Sequence, residues 1–281
     1  MDAAATLKGY FDLTRAGNAV ASGVLTFVGA YVTGGAFDAP LAAGAAVVAT
    51  MFGVAAGNAI NDYFDRDIDE INAPDRPLPR GAVSPRGALL FSALLFAGAV
   101  GLALTLPPLA IGIAVVNLAA LVAYTKLFKG LPGAGNAVVA YLGGSTFLFG
   151  AAAVSTPGPA ALVLFSLAAL STLSREIVKD VEDVEGDRSE GLRTLPIAIG
   201  ERRSLHLANG LLLVAVFVSP APYLLGTFGV TYLLVVVPAL ALLLFAGYRS
   251  YADPTGGQSI LKYGMFVATI AFVAGRAVPA A

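Results

Sequence analysis

Asn58-Ala-Ile-Asn61-Asp62-Tyr-Phe-Asp65-Arg66-Asp67-Ile-Asp69-Glu70-Ile-Asn-Ala-Pro-Asp75-Arg76-Pro-Leu-Pro-Arg80 decides how this chain is read. It follows an apolar run with no charge between Asp38 and Asp62, then places six acidic residues within fourteen positions. It has one counterpart, Asp180-Val-Glu182-Asp183-Val-Glu185-Gly186-Asp187. Both stretches carry Asp-x-x-Asp-x-x-x-Asp. On a helix turning about 100° per residue, offsets of 0, 3 and 7 share one face. Each stretch should therefore present three carboxylates together at the end of a hydrophobic segment. Like charges that close repel, so a positive partner is expected between them.

The surrounding chain is 57% hydrophobic and 12% charged over 281 residues, with a mean hydropathy of +0.80. These values lie outside the usual range of soluble domains. The expectation is an all-α polytopic membrane protein, one domain over residues 1–281. Nine transmembrane helices are expected at about 17–35, 40–62, 86–105, 108–126, 135–153, 159–178, 203–219, 223–248 and 258–276. The eighth is long, implying tilt or entry through a short interfacial piece. Met1 to Gly17 is mixed and polar, unlike a secretory leader. Zero cysteines exclude disulfides, thiolate metal sites and cysteine nucleophiles.

Charge placement gives the orientation. Of 17 Lys and Arg, only Arg276 falls on the side of the short odd-numbered connections marked by Pro107-Pro108, Pro157-Gly-Pro159 and Pro220-Ala-Pro222. Of 18 acidic residues only Asp38 does. By the positive-inside rule the N-terminus and the longer even-numbered loops face the cytoplasm and the C-terminus lies outside. The many glycines suit close helix packing; Gly143-Gly144, with Gly150 beyond, could instead leave volume for a ligand chain.

The acidic stretches offer only hard oxygen ligands, and the one histidine, His206, is distant from both in sequence. That donor set favours Mg²⁺ or Ca²⁺ over zinc, copper or iron. Mg²⁺ commonly binds through a few carboxylates plus substrate phosphates, so two facing clusters would hold a polyphosphate between metal ions. Arg66, Arg76, Arg80, Lys126, Lys129, Arg175, Lys179, Arg188 and Arg193 belong to the same face and could contact phosphate oxygens. A diphosphate at the mouth of an apolar bundle implies a long apolar tail, as in a prenyl diphosphate. Departure of that diphosphate leaves an allylic cation needing a dry cavity and aromatic faces. Tyr124, Tyr141, Phe147 and Phe149 are positioned for that.

At these residues the chain resembles the UbiA-type intramembrane prenyltransferases. Asn61-Asp62-x-x-Asp65-x-x-x-Asp69 with Asp75-Arg76-Pro77 is similar to the first family signature, and Asp180-x-x-Asp183-x-x-x-Asp187 to the second. The resemblance implies that Asn61, Asp62, Asp65, Asp69, Asp180, Asp183 and Asp187 hold Mg²⁺, as two ions, and diphosphate. It also implies cap loops over the site after helices two and six, and substrate contacts at Asn18, Asn58 and Asn61. The family's Tyr-x-x-x-Lys element is altered: Tyr124-Thr-Lys126-Leu-Phe-Lys129 offers lysines two and five residues on, and both are candidates. Ser174-Arg175-Glu176-Ile-Val-Lys179-Asp180, Thr194-Leu-Pro196 and Leu13-Thr-Arg15-Ala-Gly-Asn18 look most like the digeranylgeranylglyceryl phosphate synthases within the family. That subgroup implies geranylgeranyl diphosphate as donor and geranylgeranylglyceryl phosphate as acceptor, with lipid biosynthesis in the cell membrane as the setting. Asp62 or Asp183 could take the hydroxyl proton.

An aromatic acceptor, 4-hydroxybenzoate or a quinone precursor, is the alternative within the class. A cation or phosphate transporter is the alternative outside it, but transporters carry ionisable groups near mid-membrane, and the sequence places its charges at one end. A purely structural bundle leaves both acidic triads unexplained. No protein or nucleic-acid partner is implied.

Overall fold

Residues 3–128 and 130–278 are described in the computed structural model. In chain order the helices are α1 (Ala3–Thr14), α2 (Ala16–Val32), α3 (Pro40–Phe64), α4 (Arg66–Asn72), α5 (Pro85–Ala103), α6 (Pro108–Ala123), a π-helical turn (Tyr124–Phe128), α7 (Ala134–Val154), α8 (Pro159–Glu182), α9 (Val184–Ser189), α10 (Leu195–Ile199), α11 (Glu201–Val218), α12 (Ala221–Leu224), α13 (Val230–Arg249) and α14 (Pro254–Ala277). No strand occurs among the described residues. Local chemistry explains many boundaries. Proline occupies the first turn of α3, α5, α6, α8 and α14, where its missing N–H costs nothing. Ser84 and Asp253 cap α5 and α14 by accepting from the N–H groups of Gly87 and Gly256, at 3.1 and 2.8 Å.

Seven segments are long and apolar enough to cross a bilayer: α3, α5, α7, α8, Glu201–Leu224, α13 and α14. Two shorter apolar helices, α2 and α6, lie where the first and fourth crossings were expected. Their 17 and 16 residues are short for a hydrocarbon core of about 30 Å. Both are shortened by the special backbone at their ends, the Arg15 turn before α2 and the π-helical turn after α6. The long eighth crossing expected at 223–248 divides into the single turn α12 and the full helix α13, separated at Gly226, whose φ is 67°.

Burial is inverted relative to a soluble core. Phe217, Leu41, Leu234 and Leu94 point outward, whereas the interior is dominated by alanine and glycine. Small interior residues let backbones approach where lipid removes the usual hydrophobic drive. The clearest crossing is α2 on α7. A Cβ at Gly150 would run into the carbonyl of Thr26, and one at Gly29 into the carbonyl of Phe147. Gly144 similarly lies against Phe165 of α8. These glycines are therefore packing positions, and the expected ligand volume lies elsewhere. Nearby, Phe147, Phe228, Tyr232 and Phe272 form an aromatic cluster in which the Tyr232 hydroxyl donates to the Ser219 carbonyl at 2.7 Å. α13 packs on α11 and α14, and α14 returns to α8 and α2 and closes the bundle.

The polar connections gather at one end. The N–H of Arg193 donates to the Gly130 carbonyl at 3.0 Å, tying the loop after α8 to the loop after the π turn. Arg276 lies beside Gly34, in the short link between α2 and α3.

Candidate active site

Each acidic stretch is a helix end followed by a short helix, with its middle aspartate at the joint. Asp65 closes α3 and opens α4 at φ −87°, ψ 3°; Asp183 closes α8 and opens α9 at φ −91°, ψ 6°. The hydrogen-bond ladder continues across both joints. Asp65 and Asp69 donate to the carbonyls of Asn61 and Asp65, each at 2.8 Å, and Asp183 and Asp187 to those of Lys179 and Asp183, each at 2.9 Å. The two sequence motifs thus fold as the same local object, a bend that keeps helical spacing while changing the helix axis.

The positive partners expected for the first stretch are Arg15 and Arg76. Asp62 is 3% exposed. Its Oδ1 lies 2.5 Å from Nη2 of Arg15 and 3.6 Å from Nη1 of Arg76. The same Arg76 nitrogen lies 2.6 Å from Asp69 Oδ2. Burial works against the Arg76 charge, but the hydrogen bond and charge of Asp69, followed by Asp62 and Asp65, outweigh it and push its pKa up. Arg15 occupies the left-handed region at φ 46°, ψ 58°, unlike any other non-glycine among the described residues. Non-glycine residues there cost on the order of 1–3 kcal/mol and cluster at functional sites. The turn delivers the guanidinium from the α1–α2 joint to Asp62, and Asn58 fastens it by donating to the Thr14 carbonyl at 3.0 Å. Asn18 is exposed in the first turn of α2.

The other basic residues divide. Arg80 pairs with Asp12 and donates to the Asp75 carbonyl at 3.2 Å. Arg66 is engaged locally, 3.2 Å from Asp67 and stacked 5.2 Å from the ring centre of Tyr63. In the second stretch Asp180 accepts from Asn136 of α7 at 2.9 Å, and Asp183 lies 3.4 Å from Lys179. Burial, reinforced by the charge of Asp183, pushes the Asp187 carboxyl up.

Tyr124 joins the two halves. At the start of the π turn it lies within electrostatic reach of Glu176, Lys179 and Asp180 of the second stretch and of Asp65 of the first. The next residue, Thr125, donates to Asn61 at 3.4 Å. π turns are rare and recur at functional sites. Lys129 lies outside the described residues, as does the side chain of Lys126. Tyr141 is half-buried, with its ring edge-on to Phe165 at 6.1 Å.

Below Asn58 and Asn61 a cavity of about 300 Å³ runs between α3, α5, α6 and α7. Gly53, Gly57, Leu121 and Phe149 help line it. Its α3 wall extends from Ala49 to Asn61, about 18 Å at 1.5 Å per residue. A Cβ at Gly53 would meet nothing within 4 Å. The open volume thus lies along α3 rather than at the α7 glycines, with Phe149 on its wall; Phe147, 1% exposed, is core.

Among the described residues no three His, Cys, Asp or Glu groups converge as a metal cage. Paired, all-oxygen carboxylate stretches without such a cage fit an ion that completes its shell with substrate phosphate and water, as Mg²⁺ does. Sequence reasoning missed Arg15, Asn136 and Glu176 as site residues. Only Glu176 carried a signal, since it continues the Asp180 stripe one turn earlier.

A family model described as the UbiA prenyltransferase family matches residues 22–270. The digeranylgeranylglyceryl phosphate synthase of Natronomonas pharaonis is 64% identical over 270 residues, covering 96% of this chain and 97% of that protein. That of Halobacterium salinarum is 57% identical over 273 residues, covering 97% and 99%. A solved structure described as that of a digeranylgeranylglyceryl phosphate synthase in membranes superposes with a TM-score of 0.82 at 36% identity, over 96% of this chain and 98% of that one. A UbiA homologue from Archaeoglobus fulgidus, solved with GPP and Mg²⁺, shares the fold with a TM-score of 0.73 at 21% identity, over 96% and 98%. With the paired aspartate joints and the family match over most of its length, this chain belongs to the UbiA prenyltransferase family.

Proposed function

We infer that this membrane enzyme transfers a geranylgeranyl group from geranylgeranyl diphosphate to geranylgeranylglyceryl phosphate, forming the second ether bond of an archaeal-type membrane lipid. One structural observation supports it: two identically built aspartate joints lie within electrostatic reach of Tyr124, and Asn61 of the first motif lines an apolar cavity whose α3 wall is about 18 Å long. The relatives that cover nearly the whole chain carry that enzyme's name. On this reading the diphosphate binds between the joints and the isoprenoid tail lies in the cavity.

Asn61, Asp62, Asp65 and Asp69 from the first joint, and Asp180, Asp183 and Asp187 from the second, would be the oxygen donors for Mg²⁺, with two ions expected. When bound, the metal supplies charge stabilisation to the departing diphosphate. Arg15 and Arg76 neutralise Asp62 and Asp69 and carry positive charge to the same place. Lys179, Lys126 or Lys129 and Tyr124 complete the diphosphate contacts, and Arg80 anchors the loop after α3 through Asp12. Arg66 belongs to the outer face of that loop. The α3, α5, α6 and α7 walls exclude water from the allylic carbon, which water would otherwise capture. Asp62, with one oxygen already held by Arg15 and Arg76, acts as their anchor rather than as the proton acceptor.

The chain works as one domain of nine crossings. α2 and α6 make the short ones, and the segments around α4 and around α9 and α10 cap the site. The N-terminus and active-site end face the cytoplasm. Because the chain has no cysteine, a single one introduced at Ser189 should react with an impermeant maleimide only from the cytoplasmic side; labelling from outside would reverse this orientation.

The acceptor is tested by incubating purified protein, Mg²⁺ and geranylgeranyl diphosphate with geranylgeranylglyceryl phosphate, 4-hydroxybenzoate or a naphthoate, and reading product mass. The expected product is the diether phosphate alone. A prenylated aromatic without diether would replace this function with aromatic prenylation.

A further inference from the structure

Glu176 is a carboxylate that neither metal binding nor topology explains. α8 runs to Glu182, so Glu176 lies six residues, about 9 Å, inside the helix end. A carboxylate only 19% exposed is costly to keep ionised unless it is paired. Glu176, Asp180, Asp183 and Asp187 stand at offsets of 0, 4, 7 and 11, which fall within about 60° of one face at 100° per residue. Glu176 is thus the next group down the active-site stripe, about 6 Å below Asp180 in the direction of the membrane interior. Lys179 and Asp180, three and four residues on, are its neighbours on that face of α8, and Tyr124 of the π turn lies within its electrostatic reach.

The carboxylate is braced. Arg175 Nη1 donates to Glu176 Oε1 at 2.9 Å, and Nη2 of the same guanidinium donates to Gln258 of α14 at 2.9 Å. The two side chains are only 23% and 19% exposed. Arg175 uses one oxygen of the carboxylate. Asp62, Asp69, Asp180 and Asp183, paired with Arg15, Arg76, Asn136 and Lys179, are motif carboxylates that the reading above gives to the metal, which leaves Glu176 as the carboxylate of this stripe outside that set.

We propose that Glu176 orients the free hydroxyl of the glycerol acceptor and takes its proton, with Arg175 and Gln258 as positioning residues. This rests on the glycerol-phosphate acceptor inferred above. The allylic C1–O bond breaks and its electron pair leaves with the diphosphate. A lone pair of the hydroxyl oxygen forms the new C1–O ether bond, and the hydroxyl proton passes to Glu176. Water receives that proton as the products leave.

The test compares wild type with Glu176→Gln and Glu176→Asp in the full-length protein, reading ether product, pyrophosphate release and the Kd of the unreactive donor analogue geranylgeranyl thiolodiphosphate. Removing a general base typically costs about 10²–10⁴-fold, so Glu176→Gln should lose ether turnover by about that factor. Its analogue Kd should stay within about twofold, and it should release more pyrophosphate per ether as water captures the cation. Glu176→Asp should recover part of kcat, and it decides the matter if the Gln variant does not fold. Ether turnover by Glu176→Gln above about a third of wild type would overturn the proposal. So would parallel loss of analogue binding in both variants, which would move Glu176 into the diphosphate site. A wild type that makes no ether from the glycerol acceptor would count against the proposed function instead.

Discussion

Arg76 shows how single residues hold the site together. Two carboxylates that are nearly fully buried, Asp62 and Asp69, share its Nη1. Removing one partner of a buried pair strands the other charge and costs about 3–5 kcal/mol. Arg76 is 37% exposed, so screening reduces the figure. Arg76→Ala should therefore destabilise the purified protein by about 1–3 kcal/mol, and adding Asp69→Asn should restore most of the loss in thermal unfolding. An unchanged midpoint in the single variant would mean the charges are solvated and uncoupled. The carboxylates themselves were legible because helical periodicity gathers them on one face. Arg15 was not, because its role depends on a left-handed backbone turn that no arginine side chain favours.

At the scale of elements, crossings and voids use glycine in opposite ways. Gly150 and Gly29 sit where α2 and α7 touch backbone to backbone, whereas Gly53 faces the cavity. Overpacking a tight contact costs about 1–3 kcal/mol. Gly150→Ala should therefore lower thermal stability by at least that amount, while Gly53→Ala should leave stability nearly unchanged. Equal effects at both positions would contradict the assignment of crossing and cavity. Sequence alone left both packing and ligand volume open for Gly143, Gly144 and Gly150, since a glycine that admits a helix and one that admits a ligand look alike along a chain. The helix boundaries were more legible, fixed by proline starts and by apolar length. The division of the eighth crossing into α12 and α13 depends on the positive-φ turn at Gly226.

Over the whole molecule, the expected topology puts nearly every charge at one end, and the proposed function needs two distant acidic stretches to share one site. The one-sided charge map could be read directly from sequence. The meeting of the stretches around Tyr124 could not, because it depends on how α3, the π turn and α8 pack in three dimensions. The central claim is that the joints at Asp65 and Asp183 grip one diphosphate together. The direct measurement is calorimetric binding of geranylgeranyl thiolodiphosphate, with Mg²⁺, to wild type, Asp65→Ala, Asp183→Ala and the double variant. Sites that share a ligand are non-additive. Each single variant should weaken binding by at least about a hundredfold, about 2.7 kcal/mol, and the double variant by little more than either. Full binding by one single variant, or losses that simply add, would show that the two joints do not hold the same diphosphate.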